Sequence, residues 1–139
     1  MQSKQSMKYM REDDELKSDA TGGQVDSSPL VGTWINTDKA TGGIAKLILS
    51  KKGDSFFVQA FGACAPSPRD WGKVEGEVFS SAVDSREGMA FTARFDFGFM
   101  ETSLAVYLKS GILVLDSFNT FKDGSSRSNY FSREFYYQQ

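Results

Sequence analysis

From Leu30 onward the chain breaks into short segments of strand length, each closed by residues that favour turns, and none repeats its apolar residues with the period of a helix. That succession constrains the fold more than any other feature. The segments are Leu30 to Asn36, Ile44 to Ser50, Ser55 to Phe61, Trp71 to Phe79, Met89 to Phe97, Leu104 to Leu108, Ile112 to Phe121 and Arg127 to Tyr137. Lys51-Lys52-Gly53-Asp54, Lys109-Ser110-Gly111 and Lys122-Asp123-Gly124 separate them as hairpin turns do. Gly62 to Arg69 is the longest irregular connection, and its two prolines forbid a regular ladder. The clearest alternation sets Met89, Phe91, Ala93, Phe95 and Phe97 against Ala90, Thr92, Arg94 and Asp96.

Eight strands joined mostly by tight turns run antiparallel to their sequence neighbours, because a parallel crossover needs about a dozen linking residues. Closing the first strand onto the last removes both exposed edges. The expected fold is therefore all-β, an eight-stranded antiparallel up-and-down β-barrel, with a two-sheet sandwich as its rival. Such a barrel is filled by side chains or holds one small ligand. The 12 Phe, 5 Tyr, 2 Trp and 13 Gly lean the same way, toward β structure.

Charge divides the chain. Residues 1–29 carry six acidic and four basic side chains and residues 30–139 carry twelve of each, so the net charge of -2 belongs to the leader. The leader has no apolar run, contains Gly22-Gly23 and ends in Ser27-Ser28-Pro29, which leaves little apolar surface to offset the entropy of ordering it. A flexible acidic tail over 1–29 and a barrel domain over 30–139 are expected. No stretch approaches the roughly 18 apolar residues of a membrane span, and the tail lacks the pattern of a secretory signal. Cytoplasmic residence is the expectation, with a leader removed upstream left open. The single Cys64 cannot form a disulfide within the chain. The barrel has no basic run longer than Lys51-Lys52, so nucleic acid is not an expected partner. With no His, the Ser-His-Asp relay and every zinc site that needs an imidazole are excluded. No catalytic set, metal site or cofactor signature is read.

Gly32-Thr33-Trp34-Ile35-Asn36 resembles the opening strand of the avidin and streptavidin family, and its Gly-x-Trp part is similar to the opening of lipocalins and fatty-acid-binding barrels. The resemblance implies a calycin-type barrel in which Gly32 allows close backbone approach at one end and Trp34 plugs it. A basic side chain from the last strand, Arg133 or Arg127, then lies across the indole, a cation–π arrangement. It also implies that Asn36 donates to a ligand. The tryptophans that wrap biotin in avidins have no counterpart beyond Trp71, so biotin does not carry over. Ala63-Cys64-Ala65-Pro66, Asp70-Trp71-Gly72 and Ser128-Asn129-Tyr130-Phe131 together resemble a small barrel domain found in uncharacterised bacterial proteins, which implies a fold and no chemistry.

Ligand sites in barrels are apolar pockets with a few polar groups that fix orientation. Asn36, Trp71, Arg94, Tyr107, Asp116 and Asn119 are the candidate ligand-binding residues, and Gly32, Trp34 and Arg133 the structural plug. Asp116 has two readings. It interrupts the series Ile112, Val114, Phe118, and if that face is internal, a buried carboxylate needs Arg94 or Arg133 as partner; if Leu113 and Leu115 are internal, it is solvated. Several strands are apolar on both faces, notably Ser55 to Phe61, Ile112 to Phe121 and the run around Phe131, Phe135 and Tyr137. Only one face can look inward, so the other predicts a contact surface and a homodimer or tetramer. Asp96, Asp116 and Glu134 are the only carboxylates considered for acid–base work, and the sequence gives them no set separation. The expected function is non-enzymatic binding of a small, mostly apolar molecule. The alternatives are an oligomeric interaction barrel and, from the barrel resemblance, a cyclase-like enzyme.

Overall fold

The computed structural model describes residues 24–64 and 67–139; the expected flexible tail falls largely on residues 1–23, outside the described residues. Eight strands follow one another: β1 (Gly32–Asn36), β2 (Ile44–Lys52), β3 (Ser55–Gly62), β4 (Arg69–Phe79), β5 (Ala90–Asp96), β6 (Met100–Lys109), β7 (Ile112–Phe121) and β8 (Tyr130–Gln138). Each pairs antiparallel with the next, and β8 returns to β1 through Trp34↔Gln138, Ile35↔Tyr137 and Asn36↔Tyr136, closing the barrel. Closure excludes the sandwich and leaves no strand edge at either end of the sheet.

One end of the barrel is sealed. Trp34, 1% exposed, packs with Leu47, Leu49, Phe56, Phe91, Leu104 and Leu113, and the Phe56 and Phe91 rings lie 5.2 Å apart. Its indole Nε1 donates to the Leu30 carbonyl at 2.9 Å. Leu30 ends a short 3-10 turn, Ser28–Leu30, and is itself fully buried. The chain ahead of that turn is fastened as well. Asp26 N–H donates to Arg86 O at 2.6 Å, Gly88 N–H donates to Asp26 O at 2.8 Å, and Lys51 Nζ donates to Ser28 Oγ at 2.8 Å. The end of the expected loose leader, from Asp26 to Pro29, is thus tied to the barrel.

The plug differs from its expected form. Gly32 and Trp34 stand at the sealed end, but Arg133 faces away from the interior, and Arg127 lies in the β7–β8 connection at the opposite end. β8 keeps Ser132, Glu134 and Tyr136 inward, which turns Arg133 outward by simple alternation. Leu30, fully buried, supplies at this end the backbone carbonyl that the indole N–H meets.

Two irregularities shape the other end. A register shift between Ile44 and Lys46 bulges the start of β2. A second shift, where Phe61↔Asp70 is followed by Gln59↔Lys73, inserts an extra residue into β4. Gly72, at φ +97, takes the backbone conformation this bulge needs, and Asp70 Oδ1 accepts its N–H at 2.8 Å. The bulge re-aims Trp71 so that it joins the same interior as Val74. β4 and β5 pair only from Glu77 to Phe79 against Ala90 to Thr92, and above that short seam Trp71 meets Phe95 and Phe97 edge-on at 5.6 and 5.1 Å.

Candidate functional site

The unsealed end carries a polar patch inside an otherwise apolar barrel. β6, β7 and β8 each present one or two small polar side chains inward near this end: Thr102, Ser117, Asn119, Ser132 and Glu134. Thr102 Oγ1 donates to Asn119 Oδ1 at 2.7 Å, while Asn119 Nδ2 donates to Ser117 Oγ at 3.2 Å and to Tyr130 O at 3.3 Å. Ser117 and Ser132 hydroxyls share a hydrogen bond at 2.7 Å. Every polar group of Asn119 is therefore engaged, and the row is held rigid from β6 across to β8.

Glu134 completes the patch. Its carboxylate accepts the Thr41 hydroxyl, which in turn accepts the Gly43 N–H at 2.9 Å. A Cβ at position 43 would lie 2.7 Å from Glu134 Oε1, so the glycine leaves the room that the carboxylate occupies. Behind it, Tyr136 Oη donates to Ile44 O at 2.6 Å, and Asn36 Nδ2 donates to the same carbonyl at 3.0 Å. Burial, together with the Glu134 charge, pushes the Tyr136 phenol well above its ordinary pKa.

These side chains surround a small cavity of about 100 Å³ whose apolar wall is Ile44, Trp71, Met100 and Leu115. Trp71 and Met100 also border an outer hollow of about 320 Å³, shared with Arg69, Asp70, Phe97 and Phe99. The arrangement is a narrow polar chamber behind a wider aromatic mouth. Nearby, the Arg127 guanidinium lies 4.4 Å from the Phe121 ring and 5.5 Å from the Phe99 ring, and its Nη2 pairs with Asp123 at 2.7 Å.

Of the residues picked from the sequence, Asn36, Trp71 and Asn119 come together at this end. Trp71 and Asn119 line the chamber directly, whereas Asn36 spends its amide on Ile44 O and its oxygen on the Asp38 N–H at 2.7 Å. Arg94, Tyr107 and Asp116 do not join them. Alternation on β5, β6 and β7 places all three on the outer wall, because Phe95, Val106 and Leu115 are the inward residues. Arg94 Nε pairs there with Glu101 at 3.0 Å. Asp116 forms a bidentate pair with Arg133, at 2.6 Å from Nε and 2.9 Å from Nη2, which holds its carboxyl below the usual range and raises the guanidinium pKa. The outward face of the second reading is realised, but there Asp116 is only 17% exposed and takes Arg133, a partner named in the first.

Thr102, Ser117 and Ser132 were not singled out by sequence reasoning, and Glu134 was considered only for acid–base work. A signal existed on β8, where Ser132, Glu134 and Tyr136 form one alternating set against Phe131, Arg133, Phe135 and Tyr137. The more aromatic set is the outer one. Phe131, Phe135 and Tyr137 are between 41% and 50% exposed, as is Phe118 on β7. Across the β7–β8 ladder they form successive pairs: Ile112 with Tyr137, Val114 with Phe135, Asp116 with Arg133, and Phe118 with Phe131, whose rings are 5.2 Å apart.

No helix among the described residues is long and apolar enough to cross a membrane. No protein-family profile matches the chain, and neither a curated protein nor a solved structure matches it.

Proposed function

We propose that this barrel binds a small organic molecule non-enzymatically at its unsealed end, polar head first. The head enters the chamber beside Glu134 and Ser132, and the body lies in the mouth against Trp71, Phe97 and Phe99. One observation carries the reading: five inward polar side chains cluster around a cavity at one end of a barrel whose other end is packed with apolar residues. A barrel built only to be stable has no use for them, because each polar group taken out of water must be matched by a hydrogen bond. The ligand is consequently less apolar than composition suggests. The mouth of about 320 Å³ and the chamber of about 100 Å³ together fall within the lower part of the ~300–1,000 Å³ range of ligand pockets. In this reading Asn119 and Asn36 hold the walls, Trp71 contacts the ligand, and Gly32 and Trp34 close the far end in the manner of calycin-type barrels.

Native mass spectrometry of the protein taken directly from cells tests this. A small-molecule adduct on the wild type, absent from a Ser132→Phe variant that fills the chamber, is the expected result. Identical adducts on both proteins place the ligand elsewhere and refute the reading.

A second copy of the chain is the proposed partner of the β7–β8 outer wall. At ~200 Å² per aromatic side chain, the exposed parts of Phe118, Phe131, Phe135 and Tyr137 amount to roughly 370 Å². That is close to half of the ~800 Å² per partner in a standard interface. The only charges on the outer face of the ladder are Asp116 and Arg133, already neutral as a pair, so a two-fold-related copy meets complementary charge rather than repulsion. Sedimentation is expected to show a dimer or larger species that Phe118→Ser with Phe131→Ser dissociates. A wild-type 15.4 kDa monomer at micromolar concentration refutes it.

A further inference from the structure

The charge of the ligand follows from the chamber, an inference that rests on the ligand-binding reading above. Among the described residues no lysine or arginine pairs with Glu134. The ion pairs Lys51–Asp26, Arg94–Glu101, Lys122–Asp96, Arg127–Asp123 and Arg133–Asp116 all involve other carboxylates. Its neighbour along the strand, Arg133, is turned to the outer wall and held there by both oxygens of Asp116. The neutral groups beside it are the Thr41 hydroxyl, which donates to it, and the Tyr136 phenol, whose proton goes to Ile44 O.

All but one of the remaining side-chain donors of the chamber are also spent on the wall, since the Ser117 and Ser132 hydroxyls share one hydrogen bond and leave one serine proton over. Thr102 donates to Asn119, and both amide hydrogens of Asn119 go to Ser117 and the Tyr130 carbonyl. What the cavity offers a guest is therefore mainly acceptor capacity: two carboxylate oxygens with room for about three hydrogen bonds beyond the one from Thr41, and hydroxyl oxygens next to them. Trp71 adds an indole at the rim. A carboxylate in a confined space, without a cation and with acceptors around it, attracts positive charge and repels negative charge.

We propose that the ligand carries a cationic nitrogen, a primary ammonium group, that enters the chamber and pairs with Glu134 while an aromatic or aliphatic body lies along Trp71 and Phe97. The cavity of about 100 Å³ suits this head. With ~30 Å³ for each water in the liquid, the space admits about three waters, or an ammonium with one or two methylenes. A bulkier head stops at Trp71. An alcohol of the same shape fits but forms neutral hydrogen bonds only, and a carboxylate of the same shape meets Glu134 as a like charge.

The two tryptophans of the chain make the test direct, since Trp34 is sealed and bonded to Leu30 O while Trp71 borders the chamber. The indole N–H resonances are followed during titration of the wild-type protein with phenethylamine, 2-phenylethanol and phenylacetate. Phenethylamine is expected to move the Trp71 signal and leave that of Trp34 in place, and to bind at least about tenfold more tightly than 2-phenylethanol. Phenylacetate is expected to bind most weakly. Glu134→Gln is expected to erase the preference for amine and leave alcohol binding unchanged. An alcohol or acid that binds Trp71 as tightly as the amine overturns the cationic assignment and leaves the ligand-binding mouth standing, as does a preference that survives Glu134→Gln. If none of the three moves Trp71, both readings fall. The charge series on the wild type decides the matter even where Glu134→Gln does not fold.

Discussion

Tyr136 and Asn36 converge on one carbonyl, and that convergence makes a quantitative prediction. The β1–β2 ladder ends at Ile35↔Lys46, so Ile44 O lies beyond it and is served by side chains, at 2.6 Å from Tyr136 Oη and 3.0 Å from Asn36 Nδ2. Ile44 is 2% exposed. Tyr136→Phe removes one of two donors and leaves the carbonyl satisfied by the other, a loss of about 1 kcal/mol. For a domain of this size that lowers Tm by about 3–6 °C. Asn36→Ala removes the other donor and the acceptor of the Asp38 N–H, about 2 kcal/mol for two hydrogen bonds. The double variant strands the buried carbonyl, adding a desolvation penalty of ~1–3 kcal/mol that neither single variant incurs. The expected total is therefore about 4–6 kcal/mol rather than the ~3 kcal/mol of independent sites. Urea unfolding of all four proteins, read by fluorescence and circular dichroism, measures the coupling. Additivity within about 0.5 kcal/mol refutes the shared carbonyl as the knot that fixes the start of β2.

Leu30→Ala is expected to destabilise the barrel by about 2–5 kcal/mol, as for a fully buried core leucine, although the residue precedes the first strand; a change under ~0.5 kcal/mol in urea melts contradicts its role as the end plug. The raised phenol pKa of Tyr136 means that the unfolded chain ionises first as pH climbs past 10, so stability is full below that pH and falls above it. Tyr136→Phe flattens this alkaline limb in pH-dependent thermal melts, and an unchanged slope contradicts the assignment. Hydrogen bonds from Ser28, with Lys51 beside them, lower the Asp26 pKa from 3.8 to about 2. The stability this linkage provides is present above pH ~4 and lost as pH falls toward 2, and Asp26→Asn is expected to remove that part of the acid limb. Equal acid limbs in wild type and variant refute it.

The fold was legible because its signals are local. Turn residues fall between sequence-adjacent strands, and the alternation of Phe91, Ala93 and Phe95 with Thr92 and Arg94 marks β5 as a strand with one apolar face, which the structure turns inward although Arg94 was expected at the ligand site. β7 and β8 resisted the same reasoning. Ile112, Val114 and Phe118 are as apolar as Leu113 and Leu115, so alternation on β7 offers no choice of face until both neighbours are placed. The β4 bulge breaks alternation outright, since Trp71 and Val74 share the interior at an odd spacing. The site was half legible for that reason. Trp71 and Asn119 stood out as large or polar residues, but the serines and Thr102 matter only through a register that brings β6, β7 and β8 to one level. Arg94 and Asp116, the pair that looked most like a buried ion pair, belong to the outer wall, where each has its own partner.

β8 is the strand on which stability and function pull apart. It turns Ser132 and Glu134 toward the interior and Phe131, Phe135 and Tyr137 toward the outside, the reverse of what burial of apolar surface favours. With Phe118, the outer aromatics expose roughly 370 Å². At ~25 cal/mol per Å² this is about 9 kcal/mol of unused apolar burial, comparable to the 5–15 kcal/mol that holds a typical domain together. Slipping β8 by one residue would bring those rings inside, but it would bury Arg133 away from Asp116 and pull Tyr136 off Ile44 O, breaking the closure of β8 on β1 and β7 at once. The inverted strand is therefore locked by its polar contacts and not by its apolar ones. On the proposals above, that free energy is recovered through a cationic guest on the inner face and a second copy on the outer. Either one stabilises the folded state by mass action, so Tm is expected to rise both with amine and with protein concentration.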